Sequence, residues 1–128
     1  MASIFTKIVQ GEIPCHKVAE SENYFAFMDI NPWREGHTLV IPKKEVDYIF
    51  DLDDETYEGL MKFSKKVAHA IKKAIPCQRV GVLVEGLEVP HAHVHLIPIV
   101  DNRFFSEKPK MSHEDLAKTA EKIRTNFE

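Results

Sequence analysis

The spacing of apolar residues changes several times along the chain, and each spacing predicts a different kind of element. Near the start, Ser3 is placed to cap a short helix over residues 4–10. Residues 16–20 and 24–28 are strand-like runs on either side of a polar turn, which is the pattern of a β-hairpin. The β-branched run 36–42, bounded by glycine and proline, predicts a third strand.

A helical spacing follows from Asp53, where acidic residues favour a helix N-terminus, and it ends before Pro76 with lysines clustered near the C-terminal end. The remaining segments predict a strand, a second strand, a polar loop and a last amphipathic helix, in that order: residues 79–84, 91–97, 101–110 and about 112–127.

This order of elements predicts an α+β fold. Strands joined by short connections favour antiparallel pairing, so we expect roughly five antiparallel strands with helices packed on the sheet. A chain of 128 residues is long enough for one hydrophobic core, and the prediction is a single domain over 1–128.

The composition of the chain limits the kinds of partner that the protein is expected to bind. The formal net charge of −3 argues against a protein that binds a nucleic-acid backbone, and no apolar run approaches the length of a membrane span. The two cysteines, Cys15 and Cys77, stand far apart in unrelated contexts, which is typical of free thiols in a reducing compartment. The expectation is a cytoplasmic protein without nucleic-acid or membrane partners.

The strongest chemical signal is the run 91–97, in which histidine occurs at every second position. If the run is a strand, His91, His93 and His95 project from one face and apolar residues from the other. Three interpretations stand at this point: a solvated face on an edge strand, a metal site, or catalysis by histidine. Carboxylate or cysteine partners at ligand spacing are lacking nearby, which disfavours metal.

Catalysis assigns the central role to His93, because the middle histidine has a neighbour on each side. A neutral imidazole is a good nucleophile and can split a phosphoryl transfer into two steps. The reaction also needs donors around the phosphoryl oxygens, which His95 and His37 can supply. His91 is expected to orient the nucleophile through its carbonyl or its ring.

The run 91–97 resembles the histidine triad (HIT) motif, in which three histidines alternate with apolar residues, at every position. The similarity extends over roughly residues 3 to 100 and includes further blocks in the family's order: Ile4-Phe5-x-Lys7-Ile8, Gly11-Glu12-Ile13-Pro14, Ala26-Phe27-Met28-Asp29-Ile30 and Gly36-His37-Thr38-Leu39-Val40-Ile41-Pro42-Lys43.

The resemblance implies a homodimer whose two five-stranded sheets join into one ten-stranded sheet. It implies an AMP-type purine nucleotide substrate, attacked at the α-phosphorus by the residue matching His93 to form a nucleotidyl-histidine that water hydrolyses. The residue matching His95 would contact the phosphate and leaving group, and that matching His91 would orient the nucleophile. His37 would support the group from a neighbouring strand.

The resemblance also implies a nucleotide pocket. The acid at Asp29 would bind the ribose hydroxyls, although an Asx turn is an alternative role for it. The expected apolar contacts to the nucleotide could equally be ordinary core residues: Ile4, Phe5, Ile8, Phe27, Met28, Ile30 and Val89.

Two departures from the family's pattern matter. Ser3, Thr6 and Glu45 stand where many bacterial members have the two cysteines and a histidine of a structural zinc site, so neither a metal nor another cofactor is expected. In the turn before the triad, Leu87 and Glu88 replace polar donors that usually help to hold phosphate. A carboxylate beside a polyphosphate is repulsive unless it points away or meets a cation.

The sequence therefore predicts a nucleotide hydrolase or nucleoside phosphoramidase. The alternatives are a low-turnover nucleotide-binding regulatory module, a dinucleoside polyphosphate hydrolase, or a metal-binding protein that uses the histidine cluster.

Overall fold

The predicted order of helices and strands is present in the computed structural model, which describes residues 2–101 and 108–127. The helices are α1 (Ile4–Val9), α2 (Asp54–Ala74) and α3 (His113–Thr125), with a single 3-10 turn at Ile49–Asp51 that the sequence did not predict. The strands are β1 (Lys17–Glu20), β2 (Tyr24–Met28), β3 (Thr38–Pro42), β4 (Arg79–Leu83) and β5 (Val94–Ile99). The predicted α+β class is confirmed.

The five strands form one antiparallel sheet in the order β1-β2-β3-β5-β4. One row of paired residues across the sheet brings together side chains from three strands. Phe27 of β2 pairs with Leu39 of β3, and Leu39 pairs with His95 of β5. Residues that pair directly across antiparallel strands lie on the same face, so these three side chains are neighbours on one side of the sheet.

The two faces of the sheet carry different structures. One face packs against α2 and α3 and forms the larger core, with residues such as Val40, Val94 and Leu96. The other face carries a smaller aromatic cluster of Phe25, Phe27, Leu39 and Ile41 with Phe5 of α1: its members come from alternate positions of β2 and β3. Because both faces are covered, β2 and β3 consist almost entirely of buried residues.

Capping side chains fix the starts of all three helices. The side chains of Ser3, Asp53 and Ser112 each accept a hydrogen bond from a backbone N–H in the first turn. Asp115 completes a capping box with Ser112 at the start of α3, as its sequence indicates. The helix predicted over 4–10 ends one residue early, with Gln10 as its C-cap.

The prediction of a strand over 91–97 is wrong at its start, because β5 begins at Val94. The backbone N–H of His91 donates to the carbonyl of Val89, and that of Ala92 donates to the carbonyl of Val46, at 2.8 and 2.7 Å. Neither acceptor belongs to a neighbouring strand, so the first two residues of the run are held by loops. His91 and His93 therefore precede the strand that carries His95.

The other boundaries differ less. β3 begins at Thr38 rather than residue 36, since Gly36 has a φ of +94° and His37 N–H donates to the carbonyl of Arg34 in a turn. Of the loop predicted over 101–110, residues 102–107 lie outside the described residues. The single domain over 1–128 stays a prediction. Among residues 2–101 and 108–127, no helix is both long and apolar enough to cross a membrane.

Candidate active site

A cavity of about 210 Å³ lies on the face of the sheet that α1 covers. Two of the triad histidines, His93 and His95, line it together with all eight residues predicted to contact a nucleotide. The predicted residues that line it are Ile4, Phe5, Ile8, Phe27, Met28, Asp29, Ile30 and Val89. The structure thus brings together residues from α1, β2, β5 and the turn before the triad.

The orientation of His93 is set by a backbone carbonyl. Its Nδ1 lies 2.7 Å from the carbonyl oxygen of His91. A carbonyl oxygen only accepts hydrogen bonds, so Nδ1 carries the proton and Nε2 of the neutral ring keeps its lone pair. The ring of Phe5 contacts His93 edge-on, with the ring centroids 5.1 Å apart, and restricts its rotation. This tautomer is the one that a nucleophile at Nε2 requires.

His37 and His95 form a relay with a fixed direction. The backbone N–H of Trp33 donates to Nδ1 of His37 at 3.0 Å, so the neutral ring of His37 carries its proton on Nε2. That Nε2 lies 3.0 Å from Nδ1 of His95 and donates to it. His95 must then carry its own proton on Nε2. A backbone amide in the loop between β2 and β3 therefore decides which atom of His95 is a donor.

The N–H donor on Nε2 of His95 has no hydrogen-bond partner in the described part of the chain. Nε2 of His95 is buried and makes no hydrogen bond with any group of residues 2–101 and 108–127. His95 lines the cavity and only 9% of its surface is exposed. Buried polar atoms are almost always hydrogen-bonded, so an unpaired one calls for an explanation. A ligand oxygen in the cavity would satisfy this N–H.

His91 does not line the cavity, although the sequence grouped it with the other two histidines. Its ring is fully buried, and its Nε2 donates to the carbonyl oxygen of Pro42 at 2.8 Å. Its contact with the site is through its main chain, since its carbonyl accepts from His93. The structure thus shows the orienting contact through the carbonyl rather than through the ring.

Asp29 forms the Asx turn that was one of its predicted roles, and it also lines the cavity, as a contact to a ligand would require. Its Oδ1 accepts from the backbone N–H of Asn31 at 2.8 Å, which is an Asx turn. Its Oδ2 lies 3.6 Å from Nε2 of His37, at the edge of the cavity. The turn holds the carboxylate in place and leaves the second oxygen available to a ligand hydroxyl.

The apolar residues divide between core and cavity. Phe5 and Phe27 are buried and pack edge-on with their ring centroids 5.3 Å apart, so they serve the core and the cavity wall together. Ile4 and Ile30 are 49% and 59% exposed, so the alternative of an ordinary core residue does not hold for these two. Exposed isoleucines at a cavity mouth are apolar surface that a ligand can cover.

Sequence reasoning missed several residues of the cavity wall: Ile13, Pro14, Cys15, Leu39 and Glu85. The signal for Leu39 was present, since a residue paired with Phe27 across neighbouring strands shares its face. Trp33 was also missed. Its contribution is the backbone N–H that donates to His37, and no side-chain pattern indicates a backbone donor.

Glu88 also lines the cavity, as does Glu85, alongside His93 and His95. Both carboxylates act to raise the pKa of His95, although burial and the charge of His93 lower it overall. The turn that departs from the family's pattern therefore brings negative charge to the mouth of the site.

Asp29, His37 and His95 are also close enough to be considered as metal ligands, with one atom of each within 4.8 Å of the others. The hydrogen-bond directions oppose this use. His37 would have to coordinate through Nε2, which carries a proton as long as Nδ1 accepts from Trp33. The arrangement favours a hydrogen-bond relay over metal coordination.

Burial favours the neutral form of His37, His91 and His95. It lowers the pKa of His37 to about 4, an effect that Asp29 opposes and that His95 and Lys108 strengthen. Burial is likewise the main reason that the pKa values of His91 and His95 are lowered. At neutral pH each ring has one donor and one acceptor nitrogen, as the directions above require.

The comparisons with known proteins point to one family. The HIT domain family matches residues 10–102. A protein of Schizosaccharomyces pombe named adenosine 5'-monophosphoramidase is 41% identical over 103 residues, covering 77% of this chain and 74% of that protein. An uncharacterized HIT-like protein of Borreliella burgdorferi is 38% identical, covering 82% of this chain and 81% of that protein.

A solved structure agrees over nearly the whole chain. The crystal structure of a Hit-like protein involved in cell-cycle regulation from Bartonella henselae superposes with a TM-score of 0.89 at 36% identity. The match covers 98% of this chain and 96% of that protein.

Acidification through the range between the folded and unfolded pKa values of His37 is expected to destabilise the protein. The unfolded chain binds a proton near pH 6.5, whereas folded His37 binds it only near pH 4. The free energy of unfolding therefore falls as the pH drops through this window, by on the order of 3 kcal/mol from His37 alone. Chemical denaturation at a series of pH values measures the slope.

The variant His37→Asn should show a shallower slope between pH 6.5 and 4 than the wild type, whatever its absolute stability. His69→Gln, at an exposed position on α2, is the control and should keep the wild-type slope. An unchanged slope in His37→Asn would contradict the assignment of a buried neutral His37.

Proposed function

Because the chain belongs to the HIT family, we propose that it is a nucleotide hydrolase acting on purine nucleoside phosphoramidates through a nucleotidyl intermediate on His93. The observation that carries this proposal is the hydrogen bond from Nδ1 of His93 to the carbonyl of His91. It leaves a lone pair on Nε2 of His93, and His93 lines the cavity. The name of the S. pombe relative supports the substrate class.

In the first step, the lone pair on Nε2 of His93 attacks the α-phosphorus and the bond from phosphorus to the leaving nitrogen breaks. The amine leaves with a proton taken from water. The imidazole of His93 now carries a positive charge, and the carbonyl of His91 stabilises it by accepting the Nδ1 proton in a hydrogen bond.

In the second step, water attacks the phosphorus, its proton passes to solvent, and the electron pair of the N–P bond returns to Nε2. Nucleoside monophosphate leaves and the histidine is regenerated. The unpartnered Nε2–H of His95 would donate to a phosphoryl oxygen in both steps, where negative charge accumulates.

The rest of the cavity accounts for the nucleoside. Oδ2 of Asp29 would accept a ribose hydroxyl, and the surface formed by Phe5, Phe27 and the exposed Ile4 and Ile30 would cover a purine ring. This surface is apolar and shaped as a cleft, as small-molecule sites usually are.

Removing the nucleophile should abolish turnover. With adenosine phosphoramidate as substrate, His93→Ala is expected to lower kcat by more than about 10³-fold, because the two-step route depends on this nitrogen. His69→Ala, which changes an exposed histidine on α2, should leave kcat unchanged. Product formation with and without a chelator is the measurement, and chelation should have no effect.

Mass spectrometry of the protein quenched during turnover should place an acid-labile nucleotidyl adduct on His93. An adduct on another residue would refute the mechanism. Nucleotide binding without any turnover in the wild type would favour the regulatory module, and activity abolished by the chelator and restored by zinc would favour the metal-binding alternative.

The charge of Glu88 is expected to disfavour dinucleoside polyphosphates, the alternative substrates. These carry several negative charges, and one like-charge contact at about 4 Å in a water-like medium costs roughly 1 kcal/mol, or about fivefold in kcat/KM. Glu88→Gln should therefore raise kcat/KM for diadenosine tetraphosphate about fivefold and leave that for adenosine phosphoramidate nearly unchanged.

Glu58→Gln removes the same charge from an exposed position of α2 and serves as the control. Equal effects of Glu88→Gln on the two substrates would mean that Glu88 does not discriminate between them.

The protein is further proposed to act as a homodimer joined through β4. This strand lies at the edge of the described sheet. Val82, within the strand, is 53% exposed, and Val84, directly after it, is 37% exposed. An exposed apolar edge strand invites pairing with another chain. Two copies joined through β4 would form a ten-stranded sheet.

Val82→Asp is expected to shift the protein from dimer to monomer, because it places a charge in the proposed interface. Sedimentation velocity measures the change. Ala117→Asp adds the same charge to an exposed position of α3, which packs beside β1 at the opposite edge of the sheet, and should leave the dimer intact. A wild-type protein that sediments as a monomer would contradict the proposal.

A further inference from the structure

Four polar side chains from three separate segments meet beside the cavity. They are Ser3 and Thr6 at the start of α1, Glu45 in the loop after β3, and the ring of His91. None of the four is among the residues that line the described cavity. Their contacts are short, between 2.6 and 3.4 Å, so they form one connected network.

The direction of the network starts at His91. Its Nε2 donates to the carbonyl of Pro42, and burial keeps the ring neutral by lowering its pKa, so Nδ1 has to accept. Nδ1 lies 2.8 Å from Oγ of Ser3, which therefore donates its single hydroxyl proton to the ring. The same Oγ accepts from the backbone N–H of Thr6 at 3.0 Å.

The Ser3 hydroxyl thus serves Thr6 N–H and His91 in opposite ways, and its Oγ also lies 3.2 Å from Oγ1 of Thr6. As an acceptor it caps α1, and as a donor it holds the ring of His91. The cap residue and the first histidine of the triad are 88 positions apart in the chain, yet one hydroxyl group connects them.

Glu45 holds this end of α1 in place. Its Oε1 accepts from the backbone N–H of Ser3 at 2.7 Å and from the hydroxyl of Thr6 at 2.6 Å. These hydrogen bonds to the charged form lower the pKa of Glu45, so it is a carboxylate at neutral pH. With its proton given to Glu45, the Thr6 hydroxyl does not compete with Ser3 for Nδ1 of His91.

Anchoring the ring of His91 also holds its main chain, which contacts the nucleophile. Its main-chain carbonyl accepts from Nδ1 of His93 at 2.7 Å, and Phe5, from the same short helix, contacts both rings. A shift of His91 would move the acceptor that sets the tautomer and angle of His93. Small misplacements of a reacting group cost large factors in rate.

We propose that Ser3 and Glu45 are positioning residues for the nucleophile, acting through the chain Glu45–Thr6–Ser3–His91–His93. The proposal rests on the proposed function of His93. It assigns a catalytic consequence to two residues outside the cavity, Ser3 at the start of α1 and Glu45 in the loop after β3.

The first test replaces the hydroxyl of Ser3. Ser3→Ala should lower kcat for adenosine phosphoramidate about tenfold, within the range that supporting hydrogen bonds contribute, and change KM by less than about twofold. Ser3→Thr keeps the hydroxyl and should restore kcat. If Ser3 acted only as a helix cap that stabilises the protein, Ser3→Ala would not lower kcat while leaving KM nearly unchanged.

A matched control is available in Ser112→Ala. Ser112 caps α3 by accepting from Asp115 N–H at 3.0 Å, the same distance as in the cap of α1, but it contacts no histidine of the triad. Ser112→Ala should lower the Tm as Ser3→Ala does and leave kcat unchanged. Equal losses of kcat in the two variants, or an unchanged kcat in Ser3→Ala, would overturn the proposal.

The second test changes Glu45. Glu45→Gln keeps an oxygen that can accept from Ser3 and Thr6 and should retain most of kcat, whereas Glu45→Ala should lower it about as much as Ser3→Ala. Equal losses in Glu45→Gln and Glu45→Ala would mean that charge, not the hydrogen-bond chain, is responsible, and would contradict the proposal.

A third measurement does not depend on turnover. Imidazole ¹⁵N chemical shifts should show His91 with its proton on Nε2 and a hydrogen-bonded Nδ1, and Ser3→Ala should move only the Nδ1 shift markedly. A wild-type His91 protonated on Nδ1 would refute the network. If the network is found but the wild type has no turnover, the proposed function fails and the hydrogen-bond network stands.

Discussion

The arrangement of the site depends on main-chain groups that hold one nitrogen of a histidine ring. The carbonyl of Pro42 holds His91, the carbonyl of His91 holds His93, and the N–H of Trp33 holds His37. A main-chain group can act only as a donor or only as an acceptor, so each contact fixes a tautomer. Burial keeps the rings of His37 and His91 neutral, so each retains one donor and one acceptor nitrogen at physiological pH.

The chemistry of the cavity follows from these contacts. His93 keeps a lone pair on Nε2, and His95, at the end of the relay from Trp33 through His37, keeps a proton on Nε2. One cavity thus contains an imidazole nitrogen that keeps its lone pair and an N–H donor without a partner in residues 2–101 and 108–127. Phosphoryl transfer needs both, since attack and stabilisation of the phosphoryl oxygens occur together.

The sheet separates this chemistry from the main source of stability. α2 and α3 pack on one face and form most of the core, while the cavity lies on the other face beneath the six-residue α1. A helix this short is not stable alone, so its position depends on contacts with the rest of the fold. The hydrogen bonds from Ser3 to His91 and Glu45 are such contacts, and they connect the start of the chain with the triad.

The sequence by itself determined the class of fold, the order of elements and the identity of the chemical groups. The apolar run 24–28, the β-branched run 36–42, the helical spacing after Asp53 and the capping pattern at Ser112 are local, and such local patterns decide strand or helix. The histidines at 91, 93 and 95 identified the chemistry for the same reason. Only the tertiary structure decided that β5 begins at Val94, that Trp33 directs the relay, and that Leu39 and Glu85 reach the cavity. Those facts depend on main-chain partners and strand neighbours far apart in the chain, and residue spacing contains no information about which distant N–H or C=O a ring will meet.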